Sequence, residues 1–155
     1  MTVDGTARLE VCAVHVWRGD RHVLRGVNLS AHPGEVVHVA GPNGTGKTTL
    51  LRVLSGLLQP EEGEVRWHGT SINRQRDEYG ANMSYLGHEN ALKGDLTAAE
   101  NLHYGVGVRL KVHAPDIDAV LERVGITRCR DLPARVLSAG QRRRLAMARV
   151  LLAAA

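Results

Sequence analysis

The chain contains no phenylalanine, and only two tryptophans and three tyrosines occur among its 155 residues. So few aromatic side chains argue against the stacking platforms on which proteins bind single-stranded nucleic acid. Long apolar runs are also missing, because no segment approaches the roughly 18 residues of a membrane span. The N-terminus has an acidic residue and no apolar core of a secretory signal. We therefore expect a cytoplasmic protein that does not bind nucleic acid.

Cysteine is scarce as well. Cys12 and Cys129 are the two cysteines, and each stands far from the other without companions. This spacing argues against a metal cluster and fits a reducing compartment, and we expect both to be buried thiols. The formal net charge of +4 is modest; such a balance can indicate binding to nucleic acid or to an anionic membrane face, and it can equally reflect solubility alone. With 43% hydrophobic residues, the length suits one domain with a core.

The first half of the chain reads as strands and the second half as helices. A nearly continuous apolar run at 35–40 predicts a strand buried on both faces. Capping boxes begin at Thr97 and Ser138, and each indicates the start of a helix. We predict strands at 9–17, 27–31, 35–40, 63–67 and 83–86, and helices at 47–58, from 97 towards 105, from 115 to about 125 and from 138 to the end.

Residues 41–48 read GPNGTGKT and match the phosphate-loop pattern G-x-x-x-x-G-K-[ST]. Glycines let successive backbone N–H groups turn inward toward one anion, and the helix start that follows favours phosphate. We expect Lys47 to reach the β- and γ-phosphates, the Thr48 hydroxyl to bind Mg²⁺, and Thr49 to lie near the α-phosphate. An ordinary strand-to-helix turn is the disfavoured alternative. The predicted ATP-binding residues are Gly41, Pro42, Asn43, Gly44, Thr45, Gly46, Lys47, Thr48 and Thr49.

A second motif, LSAGQ at 137–141, resembles the LSGGQ signature of the ABC ATPase family, with Ala139 replacing the first glycine. The resemblance extends from about residue 9 to residue 152. It implies an α/β fold, that of a P-loop NTPase with a RecA-like core, an antiparallel β subdomain and a helical subdomain. It also implies a dimer in which the signature of one copy faces the ATP held by the other. The residues acting in trans would be Leu137, Ser138, Ala139, Gly140 and Gln141; the alternative is that they form a helix cap alone.

Two further positions match the family less closely. Trp17 lies just before the second strand, where the family places an aromatic that stacks on adenine; a core or edge tryptophan is the alternative. Glu89 stands at the position of the family's Q-loop glutamine. A carboxylate there can still coordinate Mg²⁺, although it changes the charge beside the γ-phosphate. For the neighbouring His88, a role as a sensor is one interpretation, and a solvated loop histidine is the favoured one.

The segments YLGHENALKGDLTAAENL (85–102) and LSAGQRRRLAMAR (137–149) resemble ATP-binding subunits of the cytochrome c biogenesis system, the haem exporter. That resemblance implies integral membrane subunits as partners, a homodimer, and a position on the inner face of the bacterial plasma membrane. A docking surface for the membrane subunits is expected within 89–135. The alternatives are the ATPase of another small-molecule, drug or lipid exporter, a non-transport ABC ATPase, and a nucleotide-binding regulator without enzymatic activity.

In ABC ATPases the signature helix is followed by a strand ending in Asp-Glu and then by a switch histidine, and residues 1–155 do not reach them. We therefore predict one incomplete nucleotide-binding domain that lacks its C-terminal core strands. Its parts would be a P-loop core at 1–88, a helical subdomain at 89–140 and a signature helix at 138–155. Without a general base, these residues alone should show little ATPase activity, and unpaired core strands should make them poorly soluble.

Overall fold

The computed structural model describes residues 8–87, 91–107 and 114–153. It contains two compact units, Met1–Met83 and Ser84–Ala155. The sequence interpretations of His88 and Glu89 lie outside the described residues. The subdivision of one domain at residue 88 stays a prediction.

The first unit is built on an antiparallel sheet of β1 (Leu9–Arg18), β2 (Arg21–Ala31), β3 (Glu62–Trp67) and β4 (Thr70–Ser71). The strand order is β2-β1-β3-β4. A turn at Gly19 and Asp20 joins β1 to β2, which places Arg18 opposite Arg21 and Trp17 opposite His22. β2 therefore begins six residues earlier than the sequence pattern indicated.

The core of the first unit lies between this sheet and two helices, α1 (Lys47–Leu54) and α2 (Arg76–Asn82). Tyr79 of α2 packs edge-on against Trp67, with ring centroids 5.6 Å apart. Its hydroxyl donates a 2.6 Å hydrogen bond to the carbonyl of Leu54, which links the end of α1 to α2. The buried members of this core are Val11, Val14, Val16, Leu24, Leu50, Val53, Val65, Trp67, Ile72 and Tyr79.

Two predicted strands, at 35–40 and 83–86, are not strands in the structure. The prediction of a strand buried on both faces is wrong, because Val36 is 95% exposed and Val37 is 42% exposed. Apolar β-branched residues form a strand only beside a hydrogen-bonding neighbour. Among the described residues, the sheet contains only β1 to β4 and offers these segments no partner.

The helix predicted at 47–58 is shorter than expected and ends at Leu54. Gly56 has a left-handed φ of 70°, and the N–H of Leu58 bonds back to the carbonyl of Arg52. A left-handed glycine just past the last turn is a common way for a helix to end. Leu57 is consequently 65% exposed.

The second unit is helical. It contains α3 (Ala98–Gly107), α4 (Ala114–Arg123) and α5 (Ala139–Ala153), with short 3₁₀ turns at Thr127–Cys129 and Ala134–Val136. Both predicted capping boxes are confirmed. Its buried core consists of Ala98, Leu102, Ile117, Val120, Leu121, Ile126, Cys129, Ala134, Leu137, Leu145, Ala148 and Leu152. Cys129 is buried as expected, whereas Cys12 of the first unit is only half-buried.

The capping boxes show the reciprocal hydrogen bonds that define this motif. The N–H of Glu100 donates to Thr97 Oγ1 at 3.1 Å, and the N–H of Thr97 donates to Glu100 Oε2 at 2.8 Å. At α5, the N–H of Gln141 donates to Ser138 Oγ at 3.2 Å, and the N–H of Ser138 donates to Gln141 Oε1 at 2.8 Å.

The segment before α3 is tied down by side chains from two helices. Buried Asn101 donates to the carbonyls of Lys93, Leu96 and Thr97, and its Oδ1 accepts from the N–H of Lys93. Arg149 of α5 donates a 2.9 Å hydrogen bond to the carbonyl of Ala91.

The stem of Arg149 crosses α3 at Gly105, where a Cβ atom would overlap the arginine Cδ. A glycine is therefore needed at this point of α3 for the arginine to lie in its present position.

Candidate nucleotide-binding site

The glycine loop enters α1 through two left-handed residues. Gly44 has a φ of 81° and Gly46, the N-cap of α1, has a φ of 99°. Only glycine adopts such backbone conformations at little cost. A Cβ at Gly46 would also lie 2.9 Å from Val23 Cγ1 and 3.0 Å from Leu24 Cδ2. The loop therefore lies closely against β2, which leaves no space for a side chain at Gly46.

The Lys47 side chain folds back over the loop. Its Nζ donates to the carbonyls of Gly41 at 2.6 Å and Pro42 at 2.7 Å. Thr45 Oγ1 donates to the same Pro42 carbonyl at 2.9 Å. The loop thus curls around its own ammonium group, which brings a positive charge to the place where the sequence predicts the phosphates.

The start of α1 has no side-chain cap. The first N–H groups of a helix have no partner within it and carry the positive end of its dipole, so an uncapped start suits an anion. Thr48 is exposed and Thr49 is half-buried in this first turn. The predicted phosphate-contacting residues 41–49 are therefore brought together in one loop and helix start.

Arg21 is part of this arrangement although no sequence motif indicated it. Its Nη2 donates a 2.6 Å hydrogen bond to the carbonyl of Gly44. The two residues are 23 positions apart, so the only available signal was the turn at Gly19 and Asp20. A two-residue turn there sets the register of the hairpin and hence the position of Arg21 at the start of β2.

Trp17 is half-buried at the end of β1 and stacks on His22 of β2, with ring centroids 4.0 Å apart and planes 6° apart. His15 joins them, since its Nδ1 lies 3.0 Å from Nε2 of His22. The ring of Trp17 therefore has an imidazole on one face, which sequence reasoning missed. Stacking of Trp17 on adenine stays a prediction.

The signature residues form the cap of α5 in the second unit. Leu137 is buried and anchors the motif, whereas Ser138, Ala139 and Gly140 are exposed. The side chain of Gln141 is engaged by the N–H of Ser138. The motif is thus a helix cap, which both interpretations require, and it also presents an exposed helix start.

Over residues 8–87, 91–107 and 114–153, the structure brings no three His, Cys, Asp or Glu side chains together as a metal site. Within the same ranges, no helix combines the length and apolar character needed to cross a bilayer. Of the predicted Mg²⁺ ligands, Thr48 lies in the first turn of α1, and Glu89 is outside the described residues.

A family model described as "ABC transporter" matches residues 24–155, which include both the loop and the signature. The chain belongs to the ABC transporter family. The resemblance inferred from the two motifs is thereby confirmed, and so is the ABC-type α/β fold. ABC ATPases hydrolyse ATP. Solved structures that resemble this chain also come from ABC transporters.

Relatives with high identity carry one name. The cytochrome c biogenesis ATP-binding export protein CcmA of Nitrosococcus oceani is 51% identical over 144 residues, covering 93% of this chain and 66% of that protein. The protein of the same name from Methylococcus capsulatus is 48% identical, covering 87% and 66%. Among solved structures, cbiO1 of Clostridium perfringens, part of the ABC transporter complex cbiONQ, has a TM-score of 0.77 and 28% identity, covering 96% of this chain and 62% of that one. The chain thus spans just under two thirds of the length of these ABC proteins.

Proposed function

We propose that this chain is the ATP-binding subunit of an ABC transporter and that residues 41–49 hold MgATP. One observation carries the proposal: the Lys47 ammonium is seated in the curled loop at the uncapped start of α1. A cation, a glycine-rich loop whose backbone amides can turn toward an anion, and a helix N-terminus together suit an anionic phosphate chain.

The residues present fit a triphosphate with its magnesium ion. Lys47 would exchange its loop carbonyls for the β- and γ-phosphate oxygens, and the N–H groups at the start of α1 would bind the remaining oxygens. The exposed Thr48 hydroxyl is an oxygen ligand of the kind Mg²⁺ accepts, and we propose Glu89 as a second. The bound ion would neutralise part of the phosphate charge. Trp17 would supply a flat surface for adenine.

The exposed cap of α5 supports a role in trans. The Ser138 hydroxyl and the amide of Gly140 lie at a helix start that an anion favours. We propose that Leu137, Ser138, Ala139, Gly140 and Gln141 of one copy close over ATP held by the loop of a second copy. ATP would then favour the closed dimer by binding it more tightly than the open form.

The relatives' shared name supports a more specific assignment. They are called cytochrome c biogenesis ATP-binding export proteins, so we propose that this chain serves the same haem-export system. Its partners would be integral membrane subunits, and it would lie on the cytoplasmic face of the plasma membrane. Association with the membrane subunits of a drug or lipid exporter would favour that alternative instead.

Hydrolysis needs a positioned base, and by family pattern this base is expected in the part of the relatives that the chain does not span. We therefore propose that residues 1–155 alone bind MgATP without sustained turnover. Steady phosphate release by the isolated chain at a rate comparable to its longer relatives would contradict this.

The main proposal is tested by titrating the chain with MgATP and MgADP in a calorimeter. Lys47→Ala should weaken both affinities by at least about a hundredfold, the scale of losing charged hydrogen bonds to phosphate. Lys93→Ala is the matched control, because Lys93 lies over the ring of Tyr104 in the second unit, 4.1 Å from its centroid. It should bind nucleotide normally. Unchanged affinity in Lys47→Ala would refute the proposed site.

A further inference from the structure

Arg21 lies outside every motif that identified the family, yet it contacts the phosphate loop. Its Nη2 atom is 2.6 Å from the Gly44 carbonyl oxygen. From the same strand, Val23 and Leu24 occupy the space beside Gly46. The start of β2 therefore holds the loop at two glycines, with one charged hydrogen bond and one close apolar contact.

The hydrogen bond fixes the orientation of a peptide group. In a planar trans peptide the carbonyl of one residue and the N–H of the next point in opposite directions. Because Arg21 holds the carbonyl of Gly44, the N–H of Thr45 is turned away from the arginine. The neighbouring carbonyls of Gly41 and Pro42 are held in the same way by Lys47.

The hydrogen bond from Arg21 restrains the backbone at a glycine, the residue type with the greatest conformational freedom. Gly44 has a φ of 81° and no side chain to limit its rotation. Without a partner for its carbonyl, the peptide between Gly44 and Thr45 could sample many orientations, and nucleotide binding would have to order it. A loop ordered beforehand binds more tightly because less conformational entropy is lost on binding.

We propose that Arg21 is a positioning residue that presents the Thr45 N–H to the phosphates by holding the Gly44 carbonyl. This inference rests on the proposed nucleotide site. It gives the antiparallel sheet a role in phosphate binding, in addition to the role that Trp17 is expected to have with the base. Arg21 acts through the loop and not as a phosphate ligand.

The test compares Arg21→Met, which removes both the donor and the charge, with Arg21→Lys, which keeps both. Arg18→Met is the matched control, since Arg18 faces Arg21 across the same hairpin and its loss changes the charge equally. The full chain is titrated with MgATP and MgADP. In parallel, the backbone amide of Thr45 is followed by ¹⁵N NMR and by hydrogen exchange without nucleotide.

We expect Arg21→Met to weaken MgATP and MgADP by the same factor, about tenfold, as for the loss of one charged hydrogen bond. Arg21→Lys should recover most of this loss, and Arg18→Met should bind within about twofold of the parent chain. Without nucleotide, the Thr45 amide signal should shift and exchange faster only in Arg21→Met.

Three results would overturn the inference. One is nucleotide affinity in Arg21→Met equal to that of Arg18→Met. Another is a loss restricted to MgATP with an unchanged Thr45 amide, which would make Arg21 a direct ligand of the γ-phosphate. The third is a Thr45 amide whose chemical shift and exchange rate are the same in Arg21→Met as in the parent chain. If the parent chain bound no nucleotide, the proposed function would fail, while the Thr45 amide would still decide whether Arg21 orders the loop.

Discussion

The imidazole of His22 stacks on the indole of Trp17 almost in parallel, with ring centroids 4.0 Å apart. The two residues are directly opposite each other in the β1–β2 hairpin. Stacking on one face holds the indole in a fixed orientation, and a base could stack on the other face. His22 would then support the base-binding surface without touching the nucleotide.

We expect Trp17→Ala to weaken ATP binding by about tenfold, because one base–aromatic stack contributes about 1–3 kcal/mol. Binding of tripolyphosphate, which has no base, should not change. His22→Ala is the control and should cost only a few-fold in ATP affinity, since the indole remains. Equal losses for ATP and tripolyphosphate in Trp17→Ala would show that Trp17 supports the fold and not the base. Both affinities can be measured by calorimetry.

The close fit of Gly46 against β2 leads to a second prediction. Gly46→Ala should destabilise the chain by more than Gly34→Ala and should abolish nucleotide binding. Both glycines have left-handed φ values, 99° and 81°, but a Cβ at Gly34 would meet nothing within 4 Å.

The loss of unfolding free energy in Gly34→Ala therefore measures only the cost of a left-handed backbone for alanine, about 1 kcal/mol. The additional loss in Gly46→Ala measures the steric clash of the new methyl group with Val23 and Leu24. Urea unfolding gives both values. Equal destabilisation of the two variants would mean that β2 yields easily to an added methyl group.

The two capping boxes allow the structural and the proposed functional roles of Ser138 to be separated. Ser138→Ala and Thr97→Ala should each lower the free energy of unfolding by about 1 kcal/mol, since both remove an N-cap side chain. Only Ser138→Ala should also weaken MgATP-dependent dimerisation, followed by light scattering. Loss of dimerisation in Thr97→Ala to the same extent would attribute the effect to general stability.

Tyr79 connects α2 to the end of α1, and burial raises the pKa of its hydroxyl. A raised pKa in the folded state means that folding favours the protonated phenol. Its contribution to stability is complete below the unfolded pKa of about 10 and is lost as the pH rises through the higher folded value.

Tyr79→Phe should therefore cost about 1 kcal/mol at neutral pH, because the Leu54 carbonyl loses its donor. The variant should also lose stability less steeply than the parent chain above about pH 10. Urea unfolding across the alkaline range checks both expectations. An equal alkaline slope in the two proteins would rule out titration of Tyr79 as a source of the pH dependence.

Features with a short-range cause were predicted well from the sequence. The capping boxes at Thr97 and Ser138 depend on residues three positions apart, and the glycine loop with its helix is a continuous pattern. The strand expected at 35–40 failed because a strand depends on a neighbour that no local pattern supplies. Arg21 and His22 were missed for a related reason, since their roles arise from hairpin register and not from a motif.

The crossing of Arg149 over Gly105 has a consequence for the interpretation of substitutions in this chain. Gly105 is exposed on α3, inside the 89–135 stretch where a docking surface for the membrane subunits is expected, so poor tolerance of substitution there would invite assignment to that surface. A larger residue at Gly105 would by itself require the stem of Arg149 to move, and this stem leads to the hydrogen bond with the carbonyl of Ala91. Poor tolerance of substitution at Gly105 would then have a structural cause, the contact with Arg149 of α5, and would not by itself indicate a binding partner.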